Sequence, residues 1–405
     1  MWLVELAWKN LWRNRGRTII TIAAVGFATI ISVITESLKE GIFNNLIKNV
    51  VSSYTGHIQI HQKGYQDEQI IDNSFIPKKE LEEKIKIDKD VQYITARLET
   101  FSLISSGEDT RGCFILGINP SVEDSISQLK NKISAGNYLT SNDNGMIMAE
   151  GLAEKLKVHL GDTVILIGQG YHGNSAAGKV KIKGLVRLGS PKLNDRLIYM
   201  SLHATQTLFA ADSLATSWVL LLGENADPEK TIIPLKNIIG DKYEAMTWGE
   251  IMPDIKQHIG TDSNNMKVVQ FILYLLVSFG IFSTLLIMMV ERRQENGMLL
   301  ALGMTKFRLQ ILMMAESLLT VMLGSIVGMI LSTPVVWYLR TNPIRIGGDA
   351  ADAYKKFGFE PIFPAAYELK IFLSQGLMVF VIGIVLSLYP LWAVMRMNAL
   401  NAMKK

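Results

Sequence analysis

Four long apolar runs constrain this 405-residue chain more than any other feature of its sequence. Each run reaches or exceeds the roughly 20 residues with which a helix crosses the hydrocarbon core of a bilayer. The runs span residues 18–38, 268–290, 309–338 and 371–394. They predict a membrane protein with four transmembrane α-helices and a large domain inserted between helices 1 and 2.

Basic residues close to these runs predict the orientation, because they are found mainly on the cytoplasmic side of membrane proteins. They precede the first run, fill the link at 291–308 and follow the fourth run. They include Arg13, Arg15, Arg17, Arg292, Arg293, Lys306, Arg308, Arg396, Lys404 and Lys405. We therefore expect both termini in the cytoplasm. The net charge of +4 is accounted for at these borders and does not call for nucleic acid as a partner.

The segments between the runs follow from this topology. Residues 1–17 combine Trp2, Trp8 and Trp12 with basic residues, which favours an interfacial helix along the inner leaflet over a helix packed on another part of the protein. The other segments are an outer domain at 39–267, a cytoplasmic link at 291–308, an outer loop at 339–370 and a cytoplasmic tail at 395–405.

The outer domain combines alternating strand patterns with short helical ones. Strands are predicted at 57–61, 93–104, 112–118, 146–149, 163–167, 180–186, 197–200 and 217–222, and helices at 78–86, 151–156, 202–209 and 229–239. This mixture predicts a mixed α/β (α+β) extracytoplasmic domain in two lobes. Cys113 is the single cysteine of the sequence, so no disulfide within the chain can stabilise this domain.

One segment of the outer domain imitates a nucleotide-binding motif. Residues 173–180 fit the Walker A pattern except that Val180 replaces the Ser or Thr whose hydroxyl would hold magnesium. A phosphate loop opens a helix, whereas the residues after Gly178 alternate as in a strand. The pattern therefore favours a glycine-rich hairpin tip, and we expect no ATPase activity in this chain.

No residue pattern indicates a metal site or an enzyme. His57 and His61 share one face of a predicted strand, but no third ligand stands at a recognisable spacing. We expect solvated or hydrogen-bonded histidines there. The sequence around Cys113 and the serines lacks a nucleophile motif.

Polar residues near the inner membrane border have two interpretations each. The charged start of the link could cap the helix bundle or dock on a soluble partner, and composition does not decide between these. Glu316 lies about two turns inside the third run, where a carboxylate needs a partner, a water cavity or a conformational role; a glutamate that joins helices by a hydrogen bond is the structural alternative. Gly324 and Gly328 form a GxxxG that would let a second helix approach closely.

Taken together, these motifs resemble the FtsX-like (MacB-type) permeases of ABC transporters. The one-then-three layout of the runs agrees with that family. So do short motifs along almost the whole chain: the basic start at 6–18, 149–153 and 160–164 in the outer domain, Glu291-Arg292, Glu295, Gly297, Gly303, Glu316 and Tyr389-Pro390 with Trp392. The resemblance implies a bacterial inner-membrane protein with several passes that works as one half of a dimeric transporter.

The resemblance also implies a mechanism and partners. A pair of separate ATPase subunits, which bind ATP and Mg²⁺, would drive movements of the outer domains, and this chain would carry no cofactor. A second permease, identical or related, would complete the dimer. The ATPase-coupling residues implied by position are Glu291, Arg292, Glu295, Gly297, Leu299 and Gly303.

Within the family, the outer-domain length and the sequence at 56–60 resemble the lipoprotein-releasing permeases. That similarity implies a lipoprotein substrate and a periplasmic carrier. The candidate partner hairpin lies at 167–179 and includes Gly168, Gly170, Tyr171, Gly173 and Gly178. The alternatives are efflux of an antibiotic, peptide or toxin, ATP-driven control of a cell-wall hydrolase, and a membrane receptor without an ATPase.

Overall fold

The computed structural model describes residues 2–13, 15–107, 109–223, 226–356 and 361–395. The basic residues predicted in the C-terminal tail, Arg396, Lys404 and Lys405, lie outside these ranges. The chain divides into two compact units. The first consists of Met1–Asn44, Ile259–Arg345 and Ile362–Lys405, and the second of Asn45–His258 and Ile346–Pro361.

The described residues form both helices and strands. The helices are α1 (Trp2–Arg13), α2 (Arg15–Val50), α3 (Lys79–Lys86), α4 (Pro120–Ser127), α5 (Glu150–Leu156), α6 (Pro191–Asn194), α7 (Leu202–Leu208), α8 (Pro228–Ile239), α9 (Trp248–Ile251), α10 (Pro253–Glu291), α11 (Arg293–Ala301), α12 (Lys306–Thr341), α13 (Gly348–Lys356) and α14 (Leu369–Met395). The strands are β1 (Ile58–Gln62), β2 (Val91–Ser106), β3 (Asp109–Ile118), β4 (Ile133–Gly136), β5 (Met146–Ala149), β6 (Thr163–Gln169), β7 (Ser175–Val186), β8 (Leu197–Ser201), β9 (Ser217–Leu222), β10 (Tyr243–Thr247), β11 (Ile344–Arg345) and β12 (Ile362–Phe363).

Among the residues that the structure describes, four helices are long and apolar enough to cross a membrane, and most of their length belongs to the first unit. They are α2, α10, α12 and α14, which confirms the four predicted spans and the large domain between the first and second. Two helices extend well beyond the apolar runs, since α2 continues to Val50 and α10 begins at Pro253. Hydropathy identifies only the apolar part of such a helix, so these polar extensions were not predicted.

The glycine pair of α12 lies against α2. A Cβ atom placed on Gly328 would stand 2.6 Å from the carbonyl oxygen of Gly26 and 2.6 Å from Cβ of Thr29. A Cβ atom on Gly324 would stand 2.6 Å from Cβ of Val25. The two helix backbones therefore touch at a point where only glycine fits, which is the close approach that GxxxG permits.

Amide and hydroxyl groups join three membrane helices. Oε1 of Gln375 on α14 accepts hydrogen bonds from Ser32 Oγ of α2 at 2.6 Å and from Tyr274 OH of α10 at 2.6 Å. Gln270 Nε2 of α10 donates to the same oxygen at 3.3 Å. Each of these residues is a single polar interruption in an apolar run, so no local pattern predicts that they meet.

The second unit contains strands that pair in a closed ring. The order around the ring is β2, β3, β8, β5, β7 and β6, and β6 closes it by pairing with β2. Alternate side chains of these strands fill the interior, as the two-residue period of a strand requires. The interior core includes Leu98, Ile104, Ile115, Met146, Met148, Leu166, Ile182 and Ile198.

A second core lies beside this ring. The first part of β2 pairs with β9, and β9, β1 and β10 are joined by antiparallel pairs. Side chains of α3 and α8, among them Ile85, Ile232 and Leu235, pack with Ile60 and Trp218 of these strands. The strand β2 thus contributes to both cores, and this gives the unit the mixed α/β character predicted for it.

Several elements of this unit were not predicted. They are β4, β10, α4, α6 and α9, together with α13 in the loop at 339–370, while β11 and β12 of the same loop belong to the first unit. The strand β10 has the sequence YEAMT, which lacks the Val, Ile and Thr run that marks a strand. For α4 a signal was present, because Asn119 caps the helix and Pro120 occupies its first turn.

The Walker-like segment belongs to a hairpin and not to the start of a helix, as predicted, but only residues 173 and 174 lie at the hairpin tip, since β7 begins at Ser175. Gly178 and Lys179 lie within β7, where Lys179 pairs with Ile165 of β6, and Val180 points into the core. His57, just before β1, and His61 within it are also hydrogen bonded as expected. His57 Nδ1 accepts the Leu222 N–H at 3.0 Å, and burial lowers the pKa of both His57 and His61.

The buried position of Cys113 leads to a prediction about its reactivity. Burial raises the pKa of this thiol to about 12, so at pH 8 the reactive thiolate is rarer by roughly a thousandfold than in an exposed cysteine. We expect a maleimide to label the folded protein very slowly at pH 8 and to label it at once after SDS denaturation. Rapid labelling of the folded chain would show that β3 is not buried in this way.

The glycine contact between α2 and α12 leads to a second prediction. Gly328→Ala should lower the free energy of unfolding by about 1–3 kcal/mol, because the added methyl group has no space against the α2 backbone. Gly280→Ala is the matched control, since a Cβ atom at Gly280 meets nothing within 4 Å. Thermal unfolding in detergent measures both variants. Equal stability of the two would contradict the close contact.

Candidate functional site

The link between α10 and α12 folds into a short helix with defined ends. The helix α10 ends at Glu291, Arg292 leaves helical geometry, and α11 starts at Arg293. After α11, Gly303 adopts a positive φ of 96°, which favours glycine, and its N–H donates to the Leu300 carbonyl at 3.1 Å. Thr305 then caps α12 by accepting the Arg308 N–H. These local signals fix α11 between two membrane-spanning helices.

An ion pair ties this link to the helix bundle. Arg292 donates to Oε2 of Glu316 on α12, and Asn10 of α1 donates to Oε1 of the same carboxylate at 2.7 Å. Arg292 also donates to the Asn10 carbonyl at 3.2 Å. The Glu316 side chain is 2% exposed, and that of Arg292 is 13% exposed. The intramembrane glutamate therefore has partners on two other elements.

The N-terminal helix is joined to the link a second time. Arg13 at the end of α1 forms an exposed ion pair with Glu295 of α11. Ala7 and Leu11 of α1 are buried. Trp8 and Trp12 are 43% and 41% exposed and meet edge to face, with ring centroids 6.0 Å apart. The helix thus has one side packed on α12, which fits the alternative of a helix packed on another part of the protein, and one exposed aromatic side, which fits the interfacial position.

The residues implied as coupling residues fall into two groups. Arg292 and Gly297 face the bundle, and Leu299 packs on a core that includes Ala7 and Leu312. Glu291 and Glu295 are exposed, and Gly303 forms the turn. Half of the implied set therefore holds the link in place and does not face outward.

Sequence reasoning missed the residues that do face outward. Met298, Leu302 and Phe307 are 57%, 79% and 70% exposed, although all three are large and apolar. They lie on α11, on the following turn and at the start of α12. We call these three residues the outward surface of the link. Positions 298 and 302 are four apart, a helical spacing that places them on one side and could have served as a signal.

The partner hairpin predicted in the outer domain is β6 and β7 with their tip, and the tip is attached to the domain. The Tyr171 N–H donates to the Phe209 carbonyl at 2.9 Å, and the His172 N–H donates to Asp72 at 2.6 Å. Added Cβ atoms on Gly170 and Gly178 would come within 2.6 Å of the Phe209 carbonyl oxygen and 2.7 Å of Leu208. These glycines allow close packing beneath the end of α7. Gly168 also lies near Phe209, whereas Gly173 has a positive φ of 74° in open space.

The described residues contain no group of three or more His, Cys, Asp and Glu side chains that could hold a metal ion. The arrangement at the link is suited to transmitting movement between helices. A short helix with an apolar outward surface is fastened through Arg292, Glu295 and Asn296 to α12 and α1. A displacement of α11 would therefore be passed to both helices.

Comparison with known proteins gives two family matches. The MacB-like periplasmic core domain matches residues 18–237, and the FtsX-like permease C-terminal region matches residues 267–399. The chain is 20% identical over 333 residues to the lipoprotein-releasing system transmembrane protein LolC of Neisseria meningitidis, covering 79% of this chain and 77% of that protein. It is 21% identical over 345 residues to an uncharacterized ABC transporter permease of Methanocaldococcus jannaschii, covering 81% of this chain and 82% of that protein.

Two solved structures of extracytoplasmic regions match part of this chain. The periplasmic region of MacB from Actinobacillus actinomycetemcomitans matches with a TM-score of 0.36 and 14% identity, covering 52% of this chain and 98% of that chain. The extracellular domain of the transporter YknZ from Gram-positive bacteria matches with a TM-score of 0.34 and 16% identity, covering 47% of this chain and 100% of that chain.

The ion pair at Glu316 leads to a prediction. Glu316→Ala should lower the free energy of unfolding by about 3–5 kcal/mol, because it leaves the Arg292 charge buried without its partner. Replacing both residues by glutamine should recover much of this loss. Thermal unfolding in detergent measures the effect. Glu5→Ala, which removes an exposed partner of Lys9 on α1, is the control and should stay near the parent. A Glu316→Ala variant as stable as this control would contradict the role of the pair.

Proposed function

This chain belongs to the FtsX-like, MacB-type permeases of ABC transporters, and from that premise we propose that it couples ATP hydrolysis in a separate ATPase pair to movement of its outer domain. The ATPase subunits bind ATP and Mg²⁺, and a second permease, identical or related, completes the dimer. The permease lies in a bacterial inner membrane with both termini in the cytoplasm, as the basic residues beside its spans favour.

The outward surface of the link is the observation that carries this proposal. Met298, Leu302 and Phe307 are 57–79% exposed and lie in one short segment, and apolar side chains that gather in this way mark an interaction site more often than a single exposed residue such as Ile87 does. The charged residues Arg293, Lys306 and Arg308 are close to these three in the sequence and are also exposed, so the link offers both the apolar and the polar groups that protein interfaces contain. The same helix is bonded inward to Glu316. The ATPase would therefore press on a part that is fastened to the membrane helices.

Release of lipoproteins from the membrane is our proposal for the cargo. The matched LolC protein is named for a lipoprotein-releasing system, and the match extends over 77% of its length. At 20% identity this relation supports the type of transporter and leaves the cargo to experiment. Docking of a periplasmic carrier on the hairpin at 167–179 stays a prediction. Efflux with outer-membrane partners and control of a cell-wall hydrolase are the alternatives to lipoprotein release.

The proposal is tested by purifying the chain from its native membranes in mild detergent. Mass spectrometry of the co-purifying proteins and an ATPase assay of the eluate are the measurements. An ATPase together with lipoproteins would support both parts of the proposal. An ATPase with a periplasmic adaptor would replace the cargo assignment by efflux. A chain that retains permease-like partners but no ATPase, in conditions that preserve other ABC transporters, would refute the coupling function.

A variant of the outward surface gives a sharper prediction. Leu302→Asp with Phe307→Asp should reduce the co-purifying ATPase by about tenfold or more, because two apolar contacts at an interface centre are replaced by charges. Ile87→Asp is the control, since Ile87 is 78% exposed but belongs to the outer domain. Membrane insertion should be the same in both. Unchanged ATPase recovery in the double variant would place the ATPase contact elsewhere.

A further inference from the structure

The second unit contains a fully buried ion pair, which has no part in the contacts of the link. Arg97 of β2 and Glu123 of α4 both have 0% exposed side chains. Arg97 Nε donates to Glu123 Oε2 at 3.0 Å, and Arg97 Nη2 donates to Oε1 at 2.6 Å. Two charges are costly to remove from water, and an apolar pair of the same size would often be as stable. Stability alone therefore does not explain why these two charged residues are buried together.

The remaining hydrogen bonds of this group point to that reason. Arg97 Nη1 donates to the main-chain carbonyl of Tyr54. The Tyr54 hydroxyl donates to Oε2 of Glu99 at 3.0 Å, and Ser217 of β9 donates to Oε1 of Glu99 at 2.9 Å. Tyr54 is thus held at its main chain and at its side chain by two neighbouring residues of β2.

Tyr54 occupies a special place in the chain. It lies in the π-helical turn Val51–Thr55, which directly follows α2 and directly precedes β1. Gly56 ends this turn with a positive φ of 63°, and a Cβ atom there would stand 2.4 Å from Val219. At this turn the chain leaves its first membrane-spanning helix and enters the sheet. The close contact of Gly56 with Val219 leaves no space for the turn to shift along β9.

The other connection of the unit is held less firmly. Between β10 and α10, Thr247 and Glu250 form a capping box, and the Trp248 N–H donates to the His57 carbonyl at 3.0 Å. The ion pair in this region joins Lys256 and Glu229, whose side chains are 52% and 59% exposed. Exposed pairs of this kind contribute little. The buried charges are concentrated at the α2 side.

We propose that Arg97, Glu99 and Glu123 are positioning residues that fix Tyr54 to the sheet, so that a movement of α2 enters the outer domain through Tyr54. This inference rests on the proposed coupling function and adds to it the place where force passes into the domain. The residues act through Tyr54 and touch neither ATP nor cargo. The turn and the sheet then move as one body.

The first test measures this joint without reference to transport. Lys48→Cys and Gln92→Cys, both exposed, carry spin labels in the full chain with its ATPase, while buried Cys113 stays unlabelled. The distance distribution between the labels should be narrow in the parent. Arg97→Met with Glu123→Leu removes the charges together and keeps an apolar pair of similar size, so the fold is retained. This variant should broaden the distribution. A distribution as narrow as the parent's would overturn the proposal.

A second variant removes only one bond of the joint. Tyr54→Phe loses the hydroxyl that donates to Glu99, and Tyr138→Phe is the matched control, because the Tyr138 hydroxyl donates to the Pro120 carbonyl at 2.9 Å and not to a residue of β2. Tyr54→Phe should broaden the distribution less than the double variant, and Tyr138→Phe should leave it unchanged. Equal broadening in both tyrosine variants would indicate general loosening and count against the proposal.

Hydrogen exchange of the same complexes tests the functional part. ATP with vanadate should change protection of β1 and β9 in the parent, and this change should be lost in the Arg97→Met, Glu123→Leu variant while its ATP hydrolysis continues. A retained change despite a broadened joint would overturn the assigned force path. If the parent itself shows no nucleotide-dependent change, the proposed coupling function fails, and the label distances still report whether the ion pair holds the turn.

Discussion

The bilayer imposes the constraint on which the rest of this molecule depends. Hydrocarbon offers no hydrogen-bond partners, so each crossing segment must satisfy its main-chain groups within a helix. Because α2 and α10 must be helical inside the membrane, adding further helical turns outside it costs little free energy, since an existing helix needs no new nucleus. Both run beyond their apolar parts to the strands β1 and β10, which are neighbours in one sheet. The requirement of the membrane therefore also determines how the outer domain is attached.

Within this apolar setting, a few polar contacts determine which helices stay together. Apolar packing in a membrane gives little preference for one helix partner over another, because lipid tails are as apolar as leucine. The oxygen of Gln375 joins α2, α10 and α14, and the carboxylate of Glu316 joins α1, α12 and the link. Glycines at the α2–α12 contact add shape to this specificity. The bundle is thus defined by contacts that occupy a small part of its surface.

The spans, the strands of the ring and the GxxxG pair could be predicted because their signals are local: each depends on residues within one element. The partners of Glu316 could not, since Asn10 lies 306 positions away and no local pattern connects the two. The outward surface of the link was overlooked for a different reason. Apolar residues such as Leu302 normally indicate burial, and their exposure becomes visible only when the opposite side of α11 is seen to be bonded inward.

Each of the two buried ion pairs is bonded to a residue close to one end of α2, and this connects the two ends of the proposed mechanism. The helix α2 begins at Arg15 and ends at Val50. Just before it, Asn10 is bonded to the Arg292–Glu316 pair, and just after it, Tyr54 is bonded to the Arg97–Glu123 pair. A continuous helix resists compression and bending far better than a loop does, and the charges of both pairs are largely shielded from water. In the proposed mechanism, movement of the link would reach the sheet through α2, whereas α10 enters its domain through a cap and an exposed ion pair that can yield.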